Sequence, residues 1–156
     1  MSEIKYRKAN SKDATAISLL WAEFFDYHFS VDPLYQRRKD SEKDIAELLL
    51  KAVDDENKFI CVAECNESLI GYIWCEIDKK PSRFQNRFYG LVSDIAVSEK
   101  YRGKGIAKSL LKNGLTGSEP KISTILKLAY CWLIHWLQNS GHQAVLSLLS
   151  KYFAIN

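Results

Sequence analysis

Apolar and polar residues alternate at the start of the chain, Ile4 and Tyr6 against Lys5 and Arg7, which predicts a short half-buried strand. The period then changes. Ala14, Ile17, Trp21, Phe24, Phe25 and His28 recur at helical spacing, and Asn10 or Ser11 can cap a helix beginning near Lys12. Pro33 and the polar run around it end that pattern, and Asp40 or Ser41 opens a second helix with the stripe Ile45, Leu48, Leu49 and Ala52. Asp54 to Asn57 predict a turn. Phe59 to Cys65 and Leu69 to Ile77 are β-rich runs separated by Asn66, Glu67 and Ser68, which is hairpin spacing. A loop from Asp78 to Arg87 leads to a third β-rich run, Phe88 to Val97. Ser98 to Tyr101 then turn the chain into Arg102-Gly103-Lys104-Gly105-Ile106-Ala107, which Lys108 to Lys112 continue as helix.

Beyond Lys112 the pattern is helical again: Ile122, Ile125, Leu126, Ala129, Leu133, Trp136 and Leu137, then a shorter stripe of Val145, Leu146, Leu148 and Leu149 after Gly141. Ile122 to Leu137 is interrupted by Lys127 and His135 and is shorter than the roughly 20 residues a membrane span needs. A buried or partner-facing helix is expected there, with no membrane association.

Composition narrows the class without naming it. A chain of 156 residues, 47% hydrophobic, is one ordinary domain able to bury a core without disulfides. A formal charge of +3 is too small an excess to argue for nucleic acid on bulk electrostatics. Met1 to Lys8 contain no apolar stretch of the secretory kind, so a cytoplasmic protein is expected. Cys61, Cys65, Cys75 and Cys131 lie in apolar surroundings without CxxC spacing, and none of His28, His135 and His142 sits at a ligand-like distance from a cysteine; buried thiols and no metal are the reading.

The chemistry concentrates in the glycine loop. A helix N-terminus leaves several N–H groups unpaired and carries partial positive charge, so it stabilises a phosphate without a dedicated side chain. Lacking Cβ atoms, Gly103 and Gly105 let phosphate oxygens approach the main chain, while Arg102, Lys104 and Lys108 add positive charge. Neither a dinucleotide fingerprint nor a Walker loop is present.

At these residues the sequence resembles the GNAT superfamily of acetyl-CoA-dependent N-acetyltransferases, whose loop reads Arg or Gln, two residues, Gly, one residue, then Gly or Ala. Arg102 to Ala107 fit it fully, Val92 to Val97 resemble the family's cofactor strand, and the element order over about residues 3–112 is similar. The resemblance implies an α/β fold with a mixed, mostly antiparallel central sheet flanked by helices, and an acetyl-CoA-binding core at residues 1–112. It implies acetyl-CoA as cosubstrate, held by Ile95, Ala96, Val97, Arg102, Gly103, Lys104, Gly105, Ile106, Ala107 and Lys108. The strand is expected to splay after Ile95 so that Ile95 and Val97 pair with the pantetheine arm, with the Val97 N–H polarising the thioester carbonyl.

An alkyl amine with a pKa near ~10 needs a carboxylate to discharge it. Asp94 on the cofactor strand and Glu76 near the end of the preceding one are the two candidates; each can also be read as an ordinary surface carboxylate. Tyr72, Trp74, Phe88 and Tyr89 read as core or as cleft, the basic loop Lys79 to Arg87 as solvated or as a site for an acidic group, and Trp21 to His28 as an acceptor wall suited to a cationic amine. His28 alone reads as a helix-end residue.

After Lys112 the resemblance stops. The family's closing strands and its usual general acid have no counterpart, so residues 113–156 form an atypical helical tail, packed on the core or in a homodimer interface, or reflect a changed reading frame or alternative exon. The expected activity is transfer of acetyl to a primary amine, on a small molecule or peptide, by direct attack. A coenzyme A-binding or oligomerising protein with little catalysis is the alternative.

Overall fold

Asn10 decides where the first helix begins. In the computed structural model, which describes residues 3–85 and 88–117, strand β1 (Ile4–Lys8) is followed by a capping box: the Asn10 side chain accepts from the Lys12 N–H at 3.0 Å and Asp13 accepts from the Asn10 N–H at 2.8 Å. The box closes a 3-10 turn, Ser11–Asp13, so the α-helix expected near Lys12 starts at Ala14 and runs as α1 (Ala14–Val31). Arg7 locks this corner, donating to both Asp13 carboxylate oxygens at 2.8 and 2.9 Å and to Glu64 at 2.8 Å. Hydrogen bonding from Arg7 holds the Asp13 carboxyl below the usual range.

Asp32 ends α1 and caps the next 3-10 turn, Pro33–Tyr35, by accepting from the Leu34 N–H at 2.9 Å. Helix α2 (Ser41–Ala52) follows Asp40, which takes the left-handed conformation at φ 62°. Its expected stripe is narrower than the spacing implied. Leu49 and Ala52 are buried, but Leu48 is 44% exposed, because only a thin edge of this short helix meets α1 and the sheet.

Strands β2 (Lys58–Cys65), β3 (Ser68–Lys79) and β4 (Phe88–Val97) complete a four-stranded sheet in the order β1-β2-β3-β4. All three pairings are antiparallel, so among the described residues the sheet is not mixed. Asn66 and Glu67, at φ 49° and 62°, make the β2–β3 turn with both central residues left-handed, the twist that suits a tight hairpin. Helix α3 (Ile106–Gly117) begins earlier and ends later than Lys108 to Lys112.

Alternation along the strands separates two apolar layers. Tyr72, Trp74 and Ala96 pack toward α1 and α2 with Ile17, Leu20 and Leu49, whereas Ile73, Cys75 and Ile95 pack toward α3 with Ile106 and Leu110. Gly71 lets the layers close: a Cβ there would lie 2.8 Å from the Ala96 carbonyl oxygen and 3.2 Å from Leu110. Cys61, Cys65 and Cys75 are buried free thiols, and burial pushes Cys61 and Cys75 up to about 11 and about 12. Cys131 and the tail from residue 118, including the apolar stripe at Ile122 to Leu137 and the expected dimer contact, lie outside the described residues.

Candidate functional site

Strand β4 is the outer strand of the described sheet, and its C-terminal end feeds directly into α3. The connection is a 3-10 turn, Glu99–Tyr101, followed by Arg102 to Gly105. Gly103 and Gly105 stand at φ 74° and 76°, where only glycine sits without strain, and a Cβ at either position would meet no atom of the described residues within 4 Å. The ladder of α3 starts with the Ser109 N–H donating to the Gly105 carbonyl at 3.1 Å. Among the described residues no side chain caps the amides ahead of it, so the helix mouth presents free N–H groups and the dipole's positive end to open space.

The basic residues of this loop are partly committed. Arg102 donates from Nε to the Val97 carbonyl at 3.0 Å, stands over the Tyr27 ring at 4.9 Å and lies 3.7 Å from Glu23. Glu23 also accepts from the Glu99 N–H at 2.6 Å, tying α1 to the turn before the loop. Lys104 donates to the Lys100 carbonyl at 3.2 Å and covers Tyr101, whereas Lys108 is exposed on the first turn of α3.

A cavity of about 280 Å³ opens beside the mouth, lined by Phe24, Tyr27 and His28 of α1, Ile95 to Val97 of β4, Arg102 and Ala107. The expected cofactor residues Ile95, Ala96, Val97, Arg102 and Ala107 therefore meet in one place, with Gly103, Lys104, Gly105, Ile106 and Lys108 continuing around the helix entrance. The expected splay after Ile95 concerns the outer edge of β4, whose neighbour would fall outside the described residues. On the inner edge β4 stays paired with β3 as far as Val97, and the register breaks earlier: Trp74 faces Asp94 and Cys75 faces Val92, which leaves Ser93 as the extra residue of a bulge.

That bulge sets the carboxylates. Asp94 lies on the α1 side of the sheet with Tyr72 and Trp74; burial, then the nearby Glu76 charge, pushes its carboxyl up to about 6. Glu76 accepts from the Ser93 hydroxyl at 2.6 Å. Both sequence candidates thus share one neighbourhood, and Ser93, which no spacing marks, links them. The Tyr72 hydroxyl and the Trp74 Nε1 are buried with no partner among the described residues, and the Asp94 charge adds to burial in raising Tyr72. Tyr72 and Trp74 belong to the core, Tyr89 donates to Asp78 at 2.9 Å, and Phe88 is exposed beneath Lys79. In the basic loop Lys80 and Arg83 stack on Phe84.

His28 lies in the last turn of α1, as its reading as a helix-end residue expects, and also lines the cavity. Its Nδ1 lies 2.9 Å from the Phe24 carbonyl, and its ring contacts those of Phe24, Tyr27 and Tyr35 at 4.1, 5.7 and 5.4 Å. No group of three or more metal-ligating side chains occurs among the described residues, and no helix among them is long and apolar enough to cross a membrane.

Comparison with known proteins agrees with this geometry. The fold is similar to that of a mutant of the BH1408 protein from Bacillus halodurans (TM-score 0.63, 20% identity, 73% of this chain and 74% of that one). It is also similar to that of a predicted acetyltransferase with acetyl-CoA from Clostridium acetobutylicum (TM-score 0.54, 23% identity, 71% and 70%). A third is the aminoglycoside antibiotic 6'-N-acetyltransferase AAC(6')-Ih from Acinetobacter baumannii (TM-score 0.52, 13% identity, 71% and 68%). No curated protein sequence matches. Residues 15–117 match the Acetyltransferase (GNAT) family, a stretch that takes in both walls of the cavity, the carboxylates and the glycine loop; the chain belongs to that family.

Proposed function

We propose that the chain transfers acetyl from acetyl-CoA to a primary amine by direct attack. The observation that carries this reading is the uncapped mouth of α3, opened by Gly103 and Gly105, continuous with a cavity that reaches Ile95 to Val97. A diphosphate fits the free amides of Gly103 to Lys108, with positive charge from Lys108. The outer edge of β4, unpaired among the described residues, offers main-chain groups of Ile95 and Val97 to the amides of the pantetheine arm, as an added strand would. Acetyl-CoA supplies an activated acyl group; this chain's residues bind, orient and move protons. In this reading the Val97 N–H stabilises the oxyanion formed on attack.

An alkylammonium must lose a proton before it attacks, and Asp94 is suited to take it: a carboxyl titrating at about 6 is ionised at neutral pH yet basic enough to share a proton. Glu76, held by Ser93, stands beside it as a second acidic side chain and suits a cationic acceptor. The aromatic face of α1 forms the opposite wall, so the acceptor is a small-molecule or peptide amine carrying an apolar or aromatic portion.

Incubation with acetyl-CoA and a panel of amines, read as free thiol released, tests the proposal. Acetyl-CoA is expected to raise the melting temperature, and at least one amine to drive thiol release. Stabilisation without release for any amine supports instead a coenzyme A-binding protein with little catalysis.

A further inference from the structure

The reaction proposed above leaves one proton unassigned. An ammonium acceptor loses two protons on becoming an amide, and Asp94 accounts for one; the coenzyme's sulfur must gain one to leave as a thiol. The cavity wall that faces β4 offers such a donor. His28 stands there, in the same cavity as Ile95, Ala96 and Val97.

Its tautomer is fixed by its neighbours. The Phe24 carbonyl can only accept, so Nδ1 carries the hydrogen in that 2.9 Å contact, which leaves Nε2 as the nitrogen that exchanges a proton. Ring contacts at 4.1 Å with Phe24 and 5.4 Å with Tyr35 hold the imidazole plane, and the last turn of α1 fixes its backbone. A histidine serving only to end the helix needs the Phe24 contact but not a place on the cavity wall.

We propose that His28 is a catalytic residue that carries the second proton from the attacking nitrogen to the departing sulfur, an assignment that rests on the transferase reading. After Asp94 takes the first proton, the nitrogen lone pair bonds to the carbonyl carbon and the C=O electrons move to oxygen. Collapse re-forms the C=O bond and breaks C–S. The remaining excess proton on nitrogen passes to His28 Nε2 and from there to sulfur, so amide and neutral thiol leave and the imidazole returns unchanged.

The test uses the full chain with His28→Ala and His28→Gln, the glutamine keeping an amide that can donate to the Phe24 carbonyl. Both are expected to lower kcat about a hundredfold or more, with acetyl-CoA affinity by calorimetry unchanged. Added imidazole is expected to restore acetylated amine in His28→Ala, after correction for imidazole's own reaction with the thioester. Nitrogen NMR of the wild type is expected to show the Nδ1-protonated tautomer, with the Nε2 resonance shifting on addition of coenzyme A. Wild-type rates in both variants, a loss that imidazole does not rescue, or an unmoved Nε2 signal overturns the assignment while the transferase reading stands. A wild-type protein inactive with every amine sinks that reading, and this one with it.

Discussion

Asp94 keeps its charge against its surroundings. Partial burial and the Glu76 carboxylate make it titrate at about 6 instead of near 4, and after allowance for solvent screening the folded state disfavours its ionised form by about 1–2 kcal/mol. The sign follows. Below about pH 4 the carboxyl is protonated in folded and unfolded chains alike; between about pH 4 and about 6 the unfolded chain ionises it first, so stability falls across that window and is level above it. Asp94→Asn is therefore expected to unfold at higher denaturant than wild type at pH 8, by about 1–2 kcal/mol, and near wild type at pH 4. The same substitution is expected to remove the acid limb near pH 6 from the kcat/KM profile of amine acetylation. That Asp94 stands near the end of β4 was legible in the sequence. Its environment was not, because a bulge residue such as Ser93 has no signature in local composition, and its bond to Glu76 joins different strands.

At the scale of the element, the α3 entrance was readable because everything it requires is local: a strand, two glycines, then a helix former. The hairpin at Asn66 was readable for the same reason. Gly105→Val tests the entrance. At φ 76° a β-branched residue is strained by about 1–2 kcal/mol, yet its Cβ meets nothing among the described residues, so the protein is expected to fold. The new side chain instead occupies the space before the amides. Acetyl-CoA affinity is expected to fall about 10- to 100-fold, the loss of one or more charge-assisted hydrogen bonds, measured by calorimetry. Unchanged affinity argues against phosphate at this helix mouth. The exposed Leu48 marks the limit of such reading: helical spacing gives a stripe, but which part of it is covered depends on how far the neighbouring helix reaches.

For the whole molecule, two apolar layers back one sheet, and the layer under α3 carries the helix whose N-terminus forms the site. Leu110 is fully buried there between α3 and β3, so Leu110→Ala is expected to destabilise the fold by about 2–5 kcal/mol, seen as a lower denaturation midpoint. The order of elements followed from periodicity. The long-range ties did not, and the contact between Glu23 and the Glu99 amide spans 76 positions. That single carboxylate has a reach beyond its two contacts. It lies on the helix that lines one side of the cavity and grips the turn that leads into the glycine loop, so neither can be displaced without straining the other. Two ligands arriving on opposite sides of such a rivet would sense each other, and by thermodynamic reciprocity whichever binds first changes the affinity for the second by the same factor in either order.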